Sequence, residues 1–177
     1  YQQHLEYQTQ IDSLTGLFNR RAFEKKLQEE FDRSLRYHNP FSLLILDVDN
    51  FKTINDTYGH HGGDAVLVKI SETLRDKTRK SDFPSRYGGE EFVLILPETD
   101  QDNAVQVAGK IHEAIRTHAF GTSAQPFNLT VSIGLSSTSS QFYSDWRQML
   151  KDADQALYVA KNAGKDRIET SAPEKKN

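Results

Sequence analysis

The chain has 177 residues, of which 36% are hydrophobic and 27% charged, and its formal net charge is −3 at pH 7. This length predicts one domain with a sizeable core, and the slightly negative charge gives no reason to expect binding to a nucleic-acid backbone. The absence of cysteine excludes disulfides, thiolate zinc sites and cysteine nucleophiles, and is typical of a reducing compartment. No apolar run approaches the roughly 20 residues that span a bilayer, and no signal peptide is visible.

The two ends of the chain are predicted to lie outside the folded domain. Because the sequence begins with Tyr1 rather than methionine, we expect it to be a piece of a longer protein. Residues 1–11 are polar with sparse apolar positions, which favours the end of a linker helix from an upstream signalling domain. Residues 171–177 are predicted to form a disordered tail, which leaves residues 12–170 for the domain.

The predicted elements follow from the periodicity of the apolar residues. In chain order they are a helix at 19–37, a strand at 41–49, helices at 51–56 and 64–77, strands at 82–87 and 91–96, a helix at 101–118, a strand at 127–136, a helix at 145–162 and a short strand at 167–169. Two helical crossovers around a hairpin predict an α+β fold of the ferredoxin-like or palm type. Its central sheet would be mostly antiparallel and surrounded by helices.

The strand at 41–49 is apolar but ends in two acids. Because side chains alternate along a strand, Asp47 and Asp49 are predicted to share one face while Val48 points into the core. Two such acids are costly to bury unless they bind a cation or hydrogen-bond donors, and Mg²⁺ prefers oxygen ligands. The alternative is that Asp49 or Asn50 only caps the helix that follows.

The segment after this strand offers groups that suit a nucleotide. Lys52 lies at the start of the next helix, where the backbone of Asn50 and Phe51 could contact phosphate because helix N-termini favour anions. Asn55 and Asp64 provide an amide oxygen and a carboxylate, which suit the donor edge of guanine. For these two side chains, local turn or cap hydrogen bonds are the alternative.

A Gly-Gly pair joins the two strands of the predicted hairpin. Gly88 and Gly89 are expected to occupy two turn positions with positive φ, which glycine adopts at little cost. Glu90 and Glu91 follow at the start of the next strand, where they leave room for a charged and bulky group such as a metal-bound phosphate. The alternative is a surface hairpin whose acids are solvated.

Other charged residues and motifs are less informative by themselves. Lys161 and Lys165 lie near the end of the last helix, where the helix dipole favours cations, so solvated surface lysines are the simplest interpretation. No P-loop and no G-x-G-x-x-G helix start is present, which excludes two common nucleotide-binding classes.

Taken together, the ordered motifs resemble the GGDEF domain, the diguanylate cyclase domain of bacterial signalling proteins, in its GGEEF form. The resemblance covers residues 12–168 and is carried by five segments: residues 12–20, 47–56, 59–64, 86–92 and 156–165.

This resemblance implies that two GTP molecules condense to cyclic di-GMP and two pyrophosphates, by attack of a ribose 3′-hydroxyl on an α-phosphate. It assigns Asp47, Glu90 and the carbonyl of Val48 to divalent ions, expected to be two Mg²⁺ or Mn²⁺ ions per site. Glu90 or Glu91 would help to remove the hydroxyl proton, and the choice between them stays open. With Asp47 and Lys52, these two glutamates form the expected catalytic group.

The resemblance also assigns the nucleotide contacts. Asn55 and Asp64 would recognise guanine, and His60 would belong to the nucleotide pocket. Asn50 and Phe51 complete the expected GTP-binding group through contacts of their backbone with phosphate. Three lysines would hold the β- and γ-phosphates: Lys52, Lys161 and Lys165.

Further expectations concern partners and regulation. Arg79 and Asp82 match the R-x-x-D product-inhibition motif, with Lys110 as an assisting residue where arginine is more usual. Catalysis implies a two-fold homodimer, because one domain holds one GTP. We expect an upstream sensory domain, no nucleic-acid partner, and a cytoplasmic domain whose parent protein could be tethered to the inner membrane. Two alternatives are a non-catalytic module that binds GTP or cyclic di-GMP, and a related cyclase that makes another cyclic nucleotide.

Overall fold

A computed structural model describes residues 10–171 of the chain. Most of the predicted linker helix and the tail beyond Ser171 lie outside these residues. Ile11, the last residue of the predicted linker, forms an isolated β-bridge with Phe18. Ser171 is buried, and its N–H donates to the carbonyl of Leu135 over 2.7 Å.

Helices and strands follow the predicted order, with one small hairpin added. The elements are α1 (Arg20–Tyr37), β1 (Ser42–Val48), α2 (Phe51–Lys77), β2 (Phe83–Gly88), β3 (Glu91–Leu96), α3 (Gln101–Arg116), β4 (Phe120–Gly121), β5 (Pro126–Phe127), β6 (Val131–Ser137), α4 (Trp146–Asn162) and β7 (Ile168–Thr170). The two-residue strands β4 and β5 pair with each other and were not predicted.

The two helices predicted at 51–56 and 64–77 meet at a kink within α2, with no loop between them. Gly59 interrupts its helical geometry with φ 74° and ψ 172°, so α2 is kinked there. The prediction of a break at Gly59 is therefore confirmed, whereas the predicted loop between the two helices is wrong. Glycine permits this backbone conformation because it has no Cβ.

The main sheet has five strands in the order β2-β3-β1-β6-β7. Neighbouring strands are antiparallel except for β6 and β7, which are parallel. The predicted α+β class with a mostly antiparallel sheet is confirmed. This order places β1 between β3 and β6, so the acidic end of β1 has a strand on each side.

Helices cover both faces of the sheet. Leu44, Leu46 and Val48 of β1 pack in a core with α2 and α3, whereas Leu43 and Ile45 pack in a core with α1 and α4. Since both faces are covered, β6 is buried along its whole length, including its serines. Its alternation of apolar and polar residues therefore does not mark a solvent-exposed face.

Helix α4 approaches the sheet most closely at Gly134 of β6. A Cβ at this position would overlap the carbonyl oxygen of Ala153 and the backbone of Leu157. Lys161 lies one helical turn beyond Leu157 on the same helix. The glycine therefore sets how near α4, and with it Lys161, comes to the strands.

Candidate active site

The acidic ends of β1 and β3 lie side by side. Asp47 is paired with Glu91 in the β1–β3 ladder and with Ser132 in the β1–β6 ladder. Directly paired residues project to the same side of an antiparallel sheet, here the side covered by α1 and α4. Val48 is 1% exposed, and its N–H donates to the carbonyl of Glu90 over 3.2 Å. The predicted adjacency of the two acidic segments is confirmed.

Asp49 lies in a pocket of hydrogen-bond donors. Its side chain is 1% exposed and accepts from Lys161 Nζ at 2.8 Å and from the hydroxyls of Thr130 at 2.6 Å and Ser132 at 2.7 Å. The backbone N–H of Asp166 donates to the same carboxylate over 3.0 Å. Burial acts to raise the pKa of Asp49, but the hydrogen bonds outweigh it and the pKa is lowered.

Neither Asp49 nor Asn50 caps α2 with its side chain, so the capping alternative is wrong. Asn50 occupies the N-cap position in a left-handed conformation, with φ 54°, and makes no side-chain cap hydrogen bond. Its Oδ1 instead accepts from Lys165 Nζ at 2.6 Å. The first N–H groups of α2 are therefore not satisfied by the side chain of their cap residue.

Asp47 is less well satisfied than Asp49. Its Oδ1 lies 2.7 Å from Lys161 Nζ, and its side chain is 22% exposed. Burial raises the pKa of Asp47, Lys161 acts against the rise, and the negative charges of Glu90 and Asp49 add to it. The pKa of Lys161 is also raised, because its bonds to the two aspartates outweigh the effect of burial. Lys161 is thus a cation held between two acids and is not a solvated surface lysine.

Glu91 carries the largest perturbation in this group of acids. Burial, followed by the charges of Asp47, Asp154 and Glu90, raises its pKa to about 7, while Arg20 acts in the opposite direction. Asp47 of β1, Glu91 of β3 and Glu90 of the β2–β3 turn therefore influence one another, and among residues 10–171 Lys161 is the one ammonium group that forms an ion pair with any of them. This site holds more negative charge than its own side chains neutralise.

The hairpin differs from the prediction in its turn. Gly88 is the last residue of β2 and pairs with Glu91, so Gly89 and Glu90 form the turn. Only Gly89 has a positive φ, at 44°, and the expectation of a positive φ at Gly88 is wrong. The cause is an irregularity in the ladder between Arg86 and Gly88, which shifts the register by one residue.

A guanidinium group fixes this turn. Arg86 donates from Nε and Nη2 to the carbonyl of Gly89, over 3.0 and 2.9 Å, and from Nη1 to Asp12 over 3.2 Å. Asp12 also accepts from the backbone and the hydroxyl of Thr15. Burial acts to raise the pKa of Asp12, but these bonds lower it. The loop before α1 thereby anchors the turn that carries Glu90.

The residues predicted to bind guanine lie along α2. A Cβ at Gly63 would overlap Oδ1 of Asn55 and approach the ring of Phe51, so the Asn55 side chain lies directly over Gly63. Asp64 is the next residue and is exposed, as are Lys52 and His60. The structure thus brings Asn55 beside Asp64 across the kink. The side chains of Asp64, Lys52 and His60 are exposed, so their polar groups are accessible.

The predicted inhibitory motif is already paired within itself. Arg79 Nη2 donates to Asp82 over 3.2 Å, to the carbonyl of Pro97 over 3.0 Å and to Thr99 Oγ1 over 2.9 Å. The Asp82 side chain is 1% exposed, whereas that of Arg79 is 59% exposed. Lys110 lies on α3 and lines a surface depression. The same depression is lined by Lys77, at the end of α2 that leads to Arg79.

Sequence reasoning missed several residues of the site. Thr130, Ser132 and Asp166 were not predicted to hold Asp49, and Asp154 and Arg20 were not predicted to influence Glu91. The alternation of Thr130 and Ser132 was the one available signal, because it places both hydroxyls on one face of a strand.

Within residues 10–171, no group of three or more His, Asp or Glu side chains has the arrangement of a metal site. In the same part of the chain, no helix combines the length and apolar character needed to cross a bilayer.

The fold and the site define a palm-like α+β domain with an acidic cluster at one end of its central strands. The model of the family described as diguanylate cyclase, GGDEF domain, matches residues 9–167, and the chain belongs to this family.

Among known proteins, the probable diguanylate cyclase DgcC of Escherichia coli (strain K12) is 38% identical over 172 residues, which cover 97% of this chain and 46% of the relative. The chain spans between about a quarter and a half of the length of the curated relatives it matches. The crystal structure of diguanylate cyclase SiaD with its activator SiaC from Pseudomonas aeruginosa has a TM-score of 0.88 and 37% identity, covering 96% of this chain and 64% of that chain. The coiled coil and GGDEF domain of DgcB from Caulobacter crescentus, in complex with c-di-GMP, also has a TM-score of 0.88, with 25% identity and coverage of 96% and 89%.

Proposed function

We propose that this domain is a diguanylate cyclase, which joins two GTP molecules into cyclic di-GMP and releases two pyrophosphates. The observation that carries this proposal is the group of mutually repelling carboxylates at the ends of β1 and β3. Asp47 faces Glu91 across the ladder, and Glu90 lies in the adjoining turn. Membership in the GGDEF family supports the same reaction.

The residues present fit a divalent cation, Mg²⁺ or Mn²⁺, and the reaction is expected to use two per site. Asp47, Glu90 and the carbonyl of Val48 would hold it, because carboxylate and carbonyl oxygens are the ligands these hard ions prefer. The raised pKa values of Asp47 and Glu91 support the fit, since they report an excess of negative charge that a cation would offset. When bound, such ions lower the pKa of the attacking hydroxyl and stabilise charge on the phosphates.

Glu91 is the better candidate for the group that accepts the 3′-hydroxyl proton. Burial and the neighbouring acids raise the pKa of Glu91 to about 7, and a cation bound beside it would lower that value and keep the carboxylate ionised and able to accept a proton. Glu90 lies in the turn and is assigned to the metal. We therefore propose Glu91 as the base and Glu90 as the metal ligand, which is one of the two assignments that the sequence left open.

The triphosphate is proposed to lie between α2 and the end of α4. Lys161 contacts Asp47 at the end of β1, and Lys165 contacts Asn50, the residue before α2. Lys52 is exposed in the first turn of α2. The amide groups at this helix start, including those of Asn50 and Phe51, favour an anion. Lysine charge would offset the negative charge that develops on the leaving pyrophosphate.

Guanine is proposed to bind beside the kink of α2. The side-chain oxygens of Asn55 and Asp64 can accept from the N1 and N2 groups of guanine, which adenine does not offer. His60 is exposed in the same segment and would line the nucleotide pocket. This arrangement favours GTP over ATP.

Catalysis is proposed to take place between two copies of the domain. Each holds one GTP, and a two-fold arrangement lets each 3′-hydroxyl reach the α-phosphate bound by its partner. An upstream sensory domain would control this pairing in the cytoplasm. A fusion to a strong dimerising coil should raise turnover per chain above that of the bare domain, and equal rates would contradict the proposal.

Product inhibition is proposed to act through Arg79 and Asp82, assisted by Lys110. The guanidinium of Arg79 is more than half exposed and can bind phosphate, while Asp82 holds it in place. Arg79→Ala should raise the cyclic di-GMP concentration that halves the rate by about tenfold, the loss of one charge-assisted contact. An unchanged half-inhibiting concentration would contradict this site.

The decisive experiment is to incubate the protein with Mg²⁺ and either GTP or ATP, and to identify the products by mass. Cyclic di-GMP and pyrophosphate from GTP, with no cyclic product from ATP, are expected. GTP binding without any product would instead show a non-catalytic nucleotide-binding module. A cyclic product of another kind would show a related cyclase.

A further inference from the structure

A basic cleft lies between the first turns of α1 and α4, apart from the lysines assigned to GTP. Its volume is about 570 Å³. Four cations line it, Arg20, Arg21, Lys25 and Arg147, against the single carboxylate of Glu24. Because Glu24 and Asp145 pair with two of the four cations, the lining keeps a local excess of two positive charges, although the chain as a whole carries a net charge of −3.

Two of these cations have no acidic partner. Arg20 pairs with Glu24 at 3.1 Å, and Arg147 pairs with Asp145 at 3.3 Å. Within residues 10–171, no carboxylate forms an ion pair with Arg21 or Lys25. Both side chains are free to bind an anion that enters the cleft.

The cleft also faces two aromatic rings that hold the arginines. The guanidinium of Arg20 lies 4.4 Å from the centre of the Tyr87 ring, and that of Arg147 lies 4.5 Å from the Trp146 ring. A guanidinium stacked on a ring keeps the N–H groups at its edge available, and its planar fork matches phosphate oxygens. Stacking thus orients two of the four cations before any ligand binds.

The positions of Arg20 and Arg21 in α1 disfavour positive charge, whereas the N-cap carboxylate of Asp145 already offsets Arg147 at the start of α4. Arg20, Arg21 and Arg147 lie in the first turns of α1 and α4, and neither first turn contains an acidic residue. Positive charge is destabilising at a helix N-terminus, where the backbone N–H groups already carry partial positive charge. A bound anion would therefore offset the positive charge of Arg20 and Arg21 at the start of α1.

We propose that this cleft binds a di- or triphosphate group, either as free polyphosphate or as the phosphate tail of a nucleotide. A chain of phosphates can contact Arg21 and Lys25 together with the outer N–H groups of Arg20 and Arg147, whereas a single anion reaches fewer of these cations. The site is separate from the phosphate contacts assigned to Lys161 and Lys165. It lies near Glu91, whose charge interacts with Arg20. The inference does not rest on the proposed cyclase activity.

The chain provides its own probe for this site, because Trp146 is its single tryptophan. Titration with sodium tripolyphosphate, without divalent ions and at constant ionic strength, should give a saturable change in tryptophan fluorescence as Arg147 moves on the indole. The variant Arg21→Gln with Lys25→Gln should bind at least about tenfold more weakly, the loss expected for one charge-assisted contact. Circular dichroism checks that this variant is folded.

A control variant separates this cleft from other cations. Lys69→Gln, on α2, should titrate like the unmodified protein. A response that is linear, or that sodium chloride reproduces at the same ionic strength, would overturn the proposal. So would a double variant whose affinity equals that of the unmodified protein.

A second titration distinguishes the two sources of phosphate. ATP is used because the guanine contacts of the candidate active site do not favour adenine. Tighter binding of ATP than of tripolyphosphate would identify a nucleotide site in which the base contacts the aromatic rings. Equal or weaker binding of ATP would identify a site for free polyphosphate. Neither titration requires turnover, so failure of the cyclase proposal would not affect the result.

Discussion

The two aspartates at the end of β1 lie in contrasting regions. Asp49 is enclosed by a lysine, two hydroxyls and a backbone N–H, and its pKa is lowered. Asp47 shares that lysine but faces other acids, and its pKa is raised, as is that of Glu91 across the ladder. The residues are two positions apart and project to the same side of the sheet.

This contrast separates a structural carboxylate from reactive ones. A buried acid with enough donors stabilises the charged form and the fold around it. Acids held together without enough donors destabilise the folded state, and such groups are typical of functional sites. Asp49 therefore holds the parts of the site in place, whereas Asp47, Glu90 and Glu91 are available for a cation and a proton.

The largest expected effect concerns the acids that lack donors. Asp47→Asn should lower the rate of cyclic di-GMP formation by about a thousandfold or more, because it removes a proposed metal ligand and its charge. The free energy of unfolding should not fall, since the change also removes repulsion from Glu90 and Glu91. Product formation and urea unfolding measure the two effects.

Asp32→Asn, at an exposed position of α1, is the matched control and should leave both quantities unchanged. A variant at Asp47 that retained its activity would contradict the assignment of this acid.

Unlike Asp47→Asn, Asp49→Ala should lower the free energy of unfolding. It leaves two hydroxyls and a backbone N–H without their buried acceptor and removes one of the two acids that pair with Lys161, so we expect a loss of about 3 kcal/mol in the free energy of unfolding. Urea denaturation of this variant, beside Asp32→Ala, measures the loss. If Asp49→Ala were as stable as the control, the distinction between the two aspartates would fail.

The dependence of stability on pH provides a third test. The pKa of Glu91 is raised from 4.5 to about 7 in the folded protein, so the folded state keeps a proton that the unfolded state releases. Stability from this group is therefore present below pH 4.5 and is lost as the pH rises to about 7. Glu91→Gln should remove this loss, and its stability relative to the unmodified protein should increase across that interval.

For Asp49 the sign is opposite, because its folded pKa lies below the ordinary 3.8. Its contribution is present above that pH and is lost as the pH falls further. A constant difference between the Glu91→Gln variant and the unmodified protein from pH 4.5 to 7 would show that the environment of Glu91 is not as described.

The smallest expected effect concerns the support of the hairpin. Arg86→Lys removes the guanidinium group, which donates hydrogen bonds to both the Gly89 carbonyl and Asp12. Lysine has a single amine and does not reproduce this planar set of donors. We expect activity to fall about tenfold through poorer positioning of Glu90, with a loss of about 1 kcal/mol in stability. Arg33→Lys, in an exposed ion pair with Glu98, is the control. Equal activities of the two variants would show that the turn does not need this support.

The sequence predicted the parts of the site that depend on local pattern. The apolar run of β1, the acids at its end and the hairpin all follow from short-range periodicity. The role of Asp49 does not, because Thr130, Ser132 and Asp166 are distant in the chain and meet it only when β6 and the turn after α4 are folded. A helix cap was the local alternative to a cation site for an acid before a helix.

Other differences have similar causes. The turn at Gly89 and Glu90 depends on a ladder irregularity, which the residue types do not specify. The strands β4 and β5 have two residues each and are too short to show a period. Lys161 looked like a surface lysine because nothing in its helix reveals how closely that helix approaches the sheet.

That close approach has a consequence for the whole site. A methyl group added at Gly134 would meet the backbone of α4 and push the helix outward. The shift would carry the amine at the helix end away from both aspartates, without changing any residue that touches them. The lack of a Cβ at Gly134, in the middle of β6, thus determines whether the amine of Lys161, at the far end of α4, can reach the acids.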